Sequence, residues 1–232
     1  MTVDWYPGLR AFCRYWDHAE MLQQTFATLE QEFAGDNDAC IDAAKGIVEC
    51  ACRVIIDELD DPAHPLKPAG ADASIGALVG ATNRLLKLSD IRDRKFADLV
   101  KHHNNLTDSL RELRNEAGTV SHGKGGFVAK LSAHHRRAAV LSADAIVTYL
   151  HEAYLETSVN LAQTREPYER FETFNDLIDS TVSLEVETDD DGDLAVRIRL
   201  PGGDILPISA SPSRFLYQMD RAAYIEALNA VR

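Results

Sequence analysis

A mainly α chain that ends in a small antiparallel sheet is what the hydrophobic periodicity of these 232 residues predicts. Two observations carry that fold class. Apolar residues recur at helical spacing from Trp5 through to Tyr154, with interruptions only at Pro, Gly and short polar stretches. Past Ile178 the period changes to two: Val182, Leu184 and Val186, then Leu194, Val196, Ile198 and Leu200, with the hairpin signal Asp191-Gly192 between them. The organisation expected is a helical bundle over 1–160 and a small α+β extension over 161–232.

Taken in order, Trp5, Leu9, Phe12, Cys13 and Trp16 mark the first helix, broken early by Pro7-Gly8. Asp17 can cap the next, whose stripe is Met21, Leu22, Phe26, Leu29 and Phe33, and Gly35 ends it. Asp36-Asn37-Asp38 then reads as a turn and cap. The helix over 38–60 has a broad apolar face with Ile41, Ile47, Val48, Val54 and Ile55, which belongs to a helix surrounded by others. Gly46 in its middle suits close helix approach. The loop Asp60 to Gly70 carries Pro62, Pro65 and Pro68 and cannot be helical. A helix resumes near Ser74 and runs through Leu78, Val79 and Leu86. The pattern continues from Ile91 through Phe96, Leu99, Val100, Leu106 and Leu110 to Leu113. Phe127-Val128 open the next long helix, which reaches about Tyr154. Arg165 to Asp179 is a short helix. A second turn at Pro201-Gly202-Gly203-Asp204 leads to a third strand over Ile205–Ile208, and Pro207 makes it an edge. Ser211 or Ser213 caps one last helix from Phe215 to Leu228.

Charge and cysteine usage narrow the function classes. The formal net charge of −13 excludes a protein that coats nucleic acid non-specifically, because such binding rests on neutralising phosphates. It permits an enzyme with a local basic site. Basic residues do concentrate between Arg84 and Arg137, whereas Glu185, Glu187, Asp189, Asp190, Asp191 and Asp193 crowd the sheet. The acidic hairpin lacks the Glu that would close a calcium loop. Cys13, Cys40, Cys50 and Cys52 have no CxxC spacing and read as packed, mostly buried, reduced thiols, so no zinc site is expected from them; no metal or other cofactor is expected elsewhere either. No run of 18 apolar residues and no signal-peptide pattern is visible, and a cytoplasmic protein away from membranes is the expectation.

The stretch Leu113-Arg114-Asn115, then Gly118, then His122-Gly123-Lys124-Gly125-Gly126, holds the chemistry-bearing residues. It ends one helix and opens a glycine-rich turn. Seven residues stand between Arg114 and His122. A continuous helix would place their Cα atoms about 12 Å apart along its axis. A left-handed cap at Gly118, or a second subunit, brings the two side chains to one phosphate. His102-His103 and His134-His135 are further candidates, and His135 is the better placed because it starts the helix after the loop.

These residues resemble the core motif of the Abi-C (abortive infection C-terminal) family, within the HEPN superfamily of helical domains. The resemblance covers roughly 36–157 and extends to the helix Ala43–Arg53 and to the stretch Ala138 to Ala145 after His135-Arg136-Arg137. Ser213-Arg214-Phe215-Leu216-Tyr217 with Asp220-Arg221 and Tyr224 is similar to the tail of some members. The implied fold is a HEPN-like bundle and the implied activity a metal-independent endoribonuclease of antiphage or toxin type. The implied catalytic residues are Arg114, Asn115 and His122, with Lys124, Gly123, His135 and Arg136 toward the RNA substrate. HEPN domains usually pair, so a homodimer is implied, with a partner defence protein or antitoxin as a further expectation. The rival reading is a HEPN-like module that senses a nucleotide or nucleic acid, or docks on a partner, without cleaving.

Overall fold

The apolar stripes of the first two-thirds of the chain converge on one interior. The computed structural model describes residues 4–70, 73–88, 98, 101–102, 104–106, 108–110, 112–113, 130–188 and 194–231. The chain forms two compact units, Met1–Arg165 and Glu166–Arg232.

In the first unit α1 (Pro7–Tyr15) and α2 (Glu20–Ala34) precede the long α3 (Ala39–Leu59). Next come α4 (Ile75–Leu85) and α5 (Ala133–Leu155). The described residues of 98–113 are helical as well. The broad apolar face of α3 has its expected consequence: the helix packs against α2, α4 and α5. Its Ile41, Ile47, Val48, Ile55 and Ile56 are fully enclosed. Each such side chain contributes about 1.5–3 kcal/mol of apolar burial. Gly46 faces only Thr25 Cγ2, at 3.9 Å from where a Cβ would stand, so no close helix approach depends on it.

The close approach occurs instead at Gly8. A Cβ there would stand 3.0 Å from Thr148 Cβ and 3.2 Å from Asp144 Oδ1, and closer still to the Thr148 hydroxyl. Asp144 is the reason for the proximity. From α5 its carboxylate accepts from the Leu9 amide at 2.8 Å, satisfying a first-turn donor of α1. Burial pushes its carboxyl above the usual range, and the amides of Leu9 and Gly8 pull it partly back. At the far end of the unit, buried Glu58 accepts from Thr164 Oγ1 at 2.6 Å and from the Arg165 amide at 2.7 Å.

All four cysteines are free, and Cys13, Cys40 and Cys52 are buried. Burial pushes the Cys13 and Cys52 thiols up to about 12 and the Cys40 thiol to about 11. Trp16 is a core residue, as its stripe predicts. Asp17 does not cap α2: that helix starts at Glu20 without a side-chain cap, and the Asp17 carboxylate lies 3.4 Å from His18 Nδ1.

The second unit starts with a 3-10 turn at Tyr168–Phe171 and α6 (Glu172–Thr181). Three strands follow, β1 (Ser183–Thr188), β2 (Leu194–Arg199) and β3 (Ile205–Ala210), as an antiparallel sheet in that order. Leu184 faces Ile198, which faces Leu206; Val186 faces Val196, which faces Ile208. Pro207 therefore sits on an edge strand, where its missing N–H costs no ladder bond. Asp191-Gly192 lies outside the described residues. The single last helix expected from the sequence is two, α7 (Pro212–Met219) and α8 (Arg221–Ala230). Asp220 makes the break. Its backbone is extended, and its carboxylate accepts from the Ala222 and Ala223 amides at 2.9 and 3.0 Å. An Asp that can start a helix wins over an apolar period that would run through it.

Candidate functional site

Arg114, Asn115, Gly118, His122, Gly123 and Lys124 lie outside the described residues, as do His103 and the proposed helix start Phe127-Val128. The described chain approaches them from two sides. On one side Leu113 is helical and partly packed on the core. On the other, Lys130, Leu131 and Ser132 are not helical, and α5 begins at Ala133 rather than at Phe127-Val128.

The later start has a physical cause in Asp38. One oxygen of its carboxylate accepts from the Leu131 amide at 2.9 Å. The other takes Arg136 Nη1 at 3.1 Å. Arg136 Nη2 reaches Asp36 at 3.0 Å, and Nη1 also donates to the Leu131 carbonyl. Residue 131 is thus tied to the turn before α3, and the helix can only begin beyond it. Arg136 is itself buried. Burial alone would push its guanidinium down, but the hydrogen bonds to Asp36 and Asp38 outweigh this and hold it above its ordinary value. A buried cation needs such partners, and two carboxylates with a carbonyl supply them. Asp36 adopts a left-handed φ of 51°, a conformation that Asp tolerates better than most residues.

The other residues at the start of α5 face outward. His134 and His135 are exposed, with ring centroids 4.2 Å apart. The Ser132 hydroxyl lies 3.0 Å from His134 Nδ1 and 2.7 Å from His135 Nδ1. Ser132 has the extended backbone of an N-cap, yet its side chain makes no capping bond to the helix. Arg137 places its guanidinium 4.7 Å from the Trp5 ring centroid, a cation–π contact that orders it beside the histidines. A helix start, two exposed imidazoles and an ordered guanidinium stand close together in the chain, which is acidic as a whole. Such a grouping suits an anion and, chemically, a phosphate.

Of the predicted binding residues, then, His135 is presented to solvent, while the Arg136 guanidinium is engaged by carboxylates. Sequence reading missed Asp36 and Asp38 as its partners and took them for a turn and cap. Their spacing from Arg136 of 100 and 98 residues leaves no local signal. Arg137, Trp5 and Ser132 were likewise not singled out for the site. Among the described residues no three His, Cys, Asp or Glu side chains gather in a way that would hold a metal ion.

A separate cleft of about 530 Å³ lies where α2 begins against the C-terminal half of α3, lined by Trp16, His18, Met21, Arg53, Asp57 and Arg165 among others. Its size falls within the range of small-molecule sites.

A family model described as Abi_C, a HEPN-like domain, matches residues 19–154. The chain belongs to the Abi_C family. The match takes in α2, α3, α4 and all but the last residue of α5. It includes the predicted Arg114–His122 stretch, the Asp38–Arg136 tie and the exposed histidines. The second unit and α1 lie beyond it. No curated protein and no solved structure matches this Abi_C chain. No helix among its described residues is long and apolar enough to cross a membrane.

Proposed function

We propose that this Abi_C protein is an antiphage endoribonuclease that cleaves RNA without a metal. The observation that carries the reading is the outward-facing basic start of α5, His134, His135 and Arg137 beside Ser132. It directly follows, in the chain, the stretch holding Arg114, Asn115 and His122. In the reaction the ribose 2′-oxygen attacks the adjacent phosphorus and the bond from phosphorus to the 5′-oxygen breaks. His122 takes the 2′-hydroxyl proton, imidazole being the side chain best tuned to do so near neutral pH. His122, protonated by that step, gives the proton to the leaving 5′-oxygen and returns to its neutral form. Arg114 grips the phosphate through two N–H groups and stabilises the charge that builds in the transition state. Asn115 orients His122 or a phosphate oxygen. Lys124, the backbone at Gly123, and His135 hold flanking phosphates. Arg136 supports binding from behind, by fixing Leu131 and the first turn of α5. The products are a 2′,3′-cyclic phosphate and a 5′-hydroxyl. Two copies of the chain, each with one Arg114–His122 pair, form the working species in the cell interior, held in check by a partner defence protein or antitoxin.

The test is incubation of the purified chain with tRNA and mixed single-stranded RNA in EDTA, beside Arg114→Ala and His122→Ala. Cleavage by the wild type that is lost in both variants supports the reading, and an inert wild type rejects it. The rival is a sensor that binds a nucleotide without cleaving. It is favoured by the 530 Å³ cleft, with Arg53, Arg165 and His18 on its walls, and by the net charge of −13. Calorimetric titration with mononucleotides, repeated with Arg53→Ala, separates the two: the sensor loses binding in that variant, whereas the ribonuclease keeps its cleavage.

A further inference from the structure

The second unit presents two apolar surfaces and buries neither. On one face of the sheet the register aligns Leu184, Ile198 and Leu206 in one row and Val186, Val196 and Ile208 in the next. The opposite face carries the Glu185–Arg199 and Glu187–Arg197 ion pairs and is suited to water. The four edge-strand residues of the apolar face are 50% (Leu206) to 62% (Leu184) exposed. In α6, Phe174, Leu177 and Ile178 fall at i, i+3 and i+4 on one side, and all three are more than half exposed. A flat apolar sheet face and an apolar helix stripe are the two halves of a standard layered core.

The connections prevent one copy from joining these two halves. Only Val182 lies between the end of α6 at Thr181 and the start of β1 at Ser183. One residue spans at most about 3.5 Å. A helix packed on a sheet face runs about 10 Å above it, and returning αβ connections use about two to six residues. Val182 is extended and still bonded back to Ile178, so it carries the chain straight on. On the other flank, Ser211 alone joins β3 to α7, which imposes the same limit. Short connections of this kind are the condition under which an element is exchanged between copies.

We propose that the apolar sheet face is the seat for α6 of a second copy of this chain, and that the exchange is reciprocal. The two-fold relation lets residue 177 of one copy meet residue 208 of the other, and the reverse, so both bare surfaces are covered at once. Seven half-exposed side chains of this size offer on the order of 600 Å² per copy. That makes on the order of 1,200 Å² in all, which reaches the lower end of stable interfaces. This inference uses none of Arg114, His122 or the α5 surface, so it stands or falls apart from the ribonuclease reading.

The test uses the full chain carrying Leu177→Cys, mixed with the full chain carrying Ile208→Cys, under a mild oxidant. The native thiols serve as the background in a wild-type control, most of them being buried. The expected result is a shift to twice the chain mass on a non-reducing gel from the mixture, and its loss when Val186→Lys is added to the Ile208→Cys chain. The double variant Leu177→Cys/Ile208→Cys at high dilution supplies the opposing outcome. If it closes a disulfide within one chain while the mixture stays unlinked, α6 covers its own sheet and the proposal is overturned. If neither sample links, α6 sits on the sheet of neither its own copy nor a second one, and the proposal is overturned as well.

Discussion

The two units of this chain are built from similar amounts of apolar residue per length, yet only the first has an inside. Met1–Arg165 encloses Trp16, Tyr154, Phe12 and a column of Leu and Ile side chains. Glu166–Arg232 has no buried residue among those described. The difference lies in the connections. Loops such as 60–74 let α3 and α4 turn and face one another. Val182 and Ser211 allow no such return. Apolar periodicity states which face wants covering, and linker length decides whether the same chain can cover it.

For the folding of a single copy, substitutions should therefore have large effects in the first unit and small ones in the second. The largest loss is expected at Asp38→Ala or Arg136→Ala. Arg136→Ala strips buried Asp38 of its cation, and Asp38→Ala leaves buried Arg136 only the exposed Asp36 carboxylate and the Leu131 carbonyl; each costs about 3 kcal/mol, read as a lower urea midpoint with an unchanged slope. Gly8→Ala comes next, at about 2 kcal/mol, because the added methyl overlaps Thr148; Thr148→Ala in the same chain should restore part of it.

Alkaline pH sharpens the contrast further. Cys13, Cys40 and Cys52 keep their protons in the folded chain well above the ordinary thiol value of 9.0. Above pH 9 the unfolded chain sheds those protons, so it binds fewer than the folded one. Stability from each thiol is then lost as pH rises from about 9 toward 11 or 12, at up to about 1.4 kcal/mol per pH unit. Denaturant melts at pH 8, 9 and 10 should show the fall, and Cys52→Ala should lessen its slope.

Gly46→Ala is expected to act in the other direction, raising stability by up to about 1 kcal/mol, since a Cβ meets only ordinary contact there. The smallest effect is reserved for the second unit. Glu187→Gln removes an exposed ion pair with Arg197 and should move the thermal midpoint by an amount worth less than about 0.5 kcal/mol. A loss of several kcal/mol there would mean that this face of the sheet is enclosed after all.

How much of this was legible in the sequence depends on the range of the interaction. The stripes of α1 to α4 and the register-compatible alternation of β1 and β2 follow from local spacing, and the structure has them except at their ends: Met21 is exposed in the first turn of α2, and Trp5 precedes α1. Packed cysteines were legible too, since nothing paired them. Two local rules competed at Asp220, and capping won over periodicity. The start of α5 was misplaced because Leu131 is held by Asp38, 93 positions away. The same distance hid the partners of Arg136. Of the candidate site, the motif Arg114–His122 was legible as residue types and spacing. The ordered pair Arg137–Trp5 was not, because nothing in a helical pattern says which aromatic will lie under which cation.

One bond has a consequence for the making of the protein. The Leu9 amide waits for a carboxylate 135 residues further along. At a synthesis rate of about 5–20 residues per second, Asp144 emerges on the order of 10 s after α1 does. Throughout that interval Leu9, Phe12 and Cys13 lack the α5 surface on which α1 packs. The nascent bundle therefore carries an unfinished apolar edge until its last helix is made, and that interval is when a chaperone, or a second nascent chain, has its opportunity to bind.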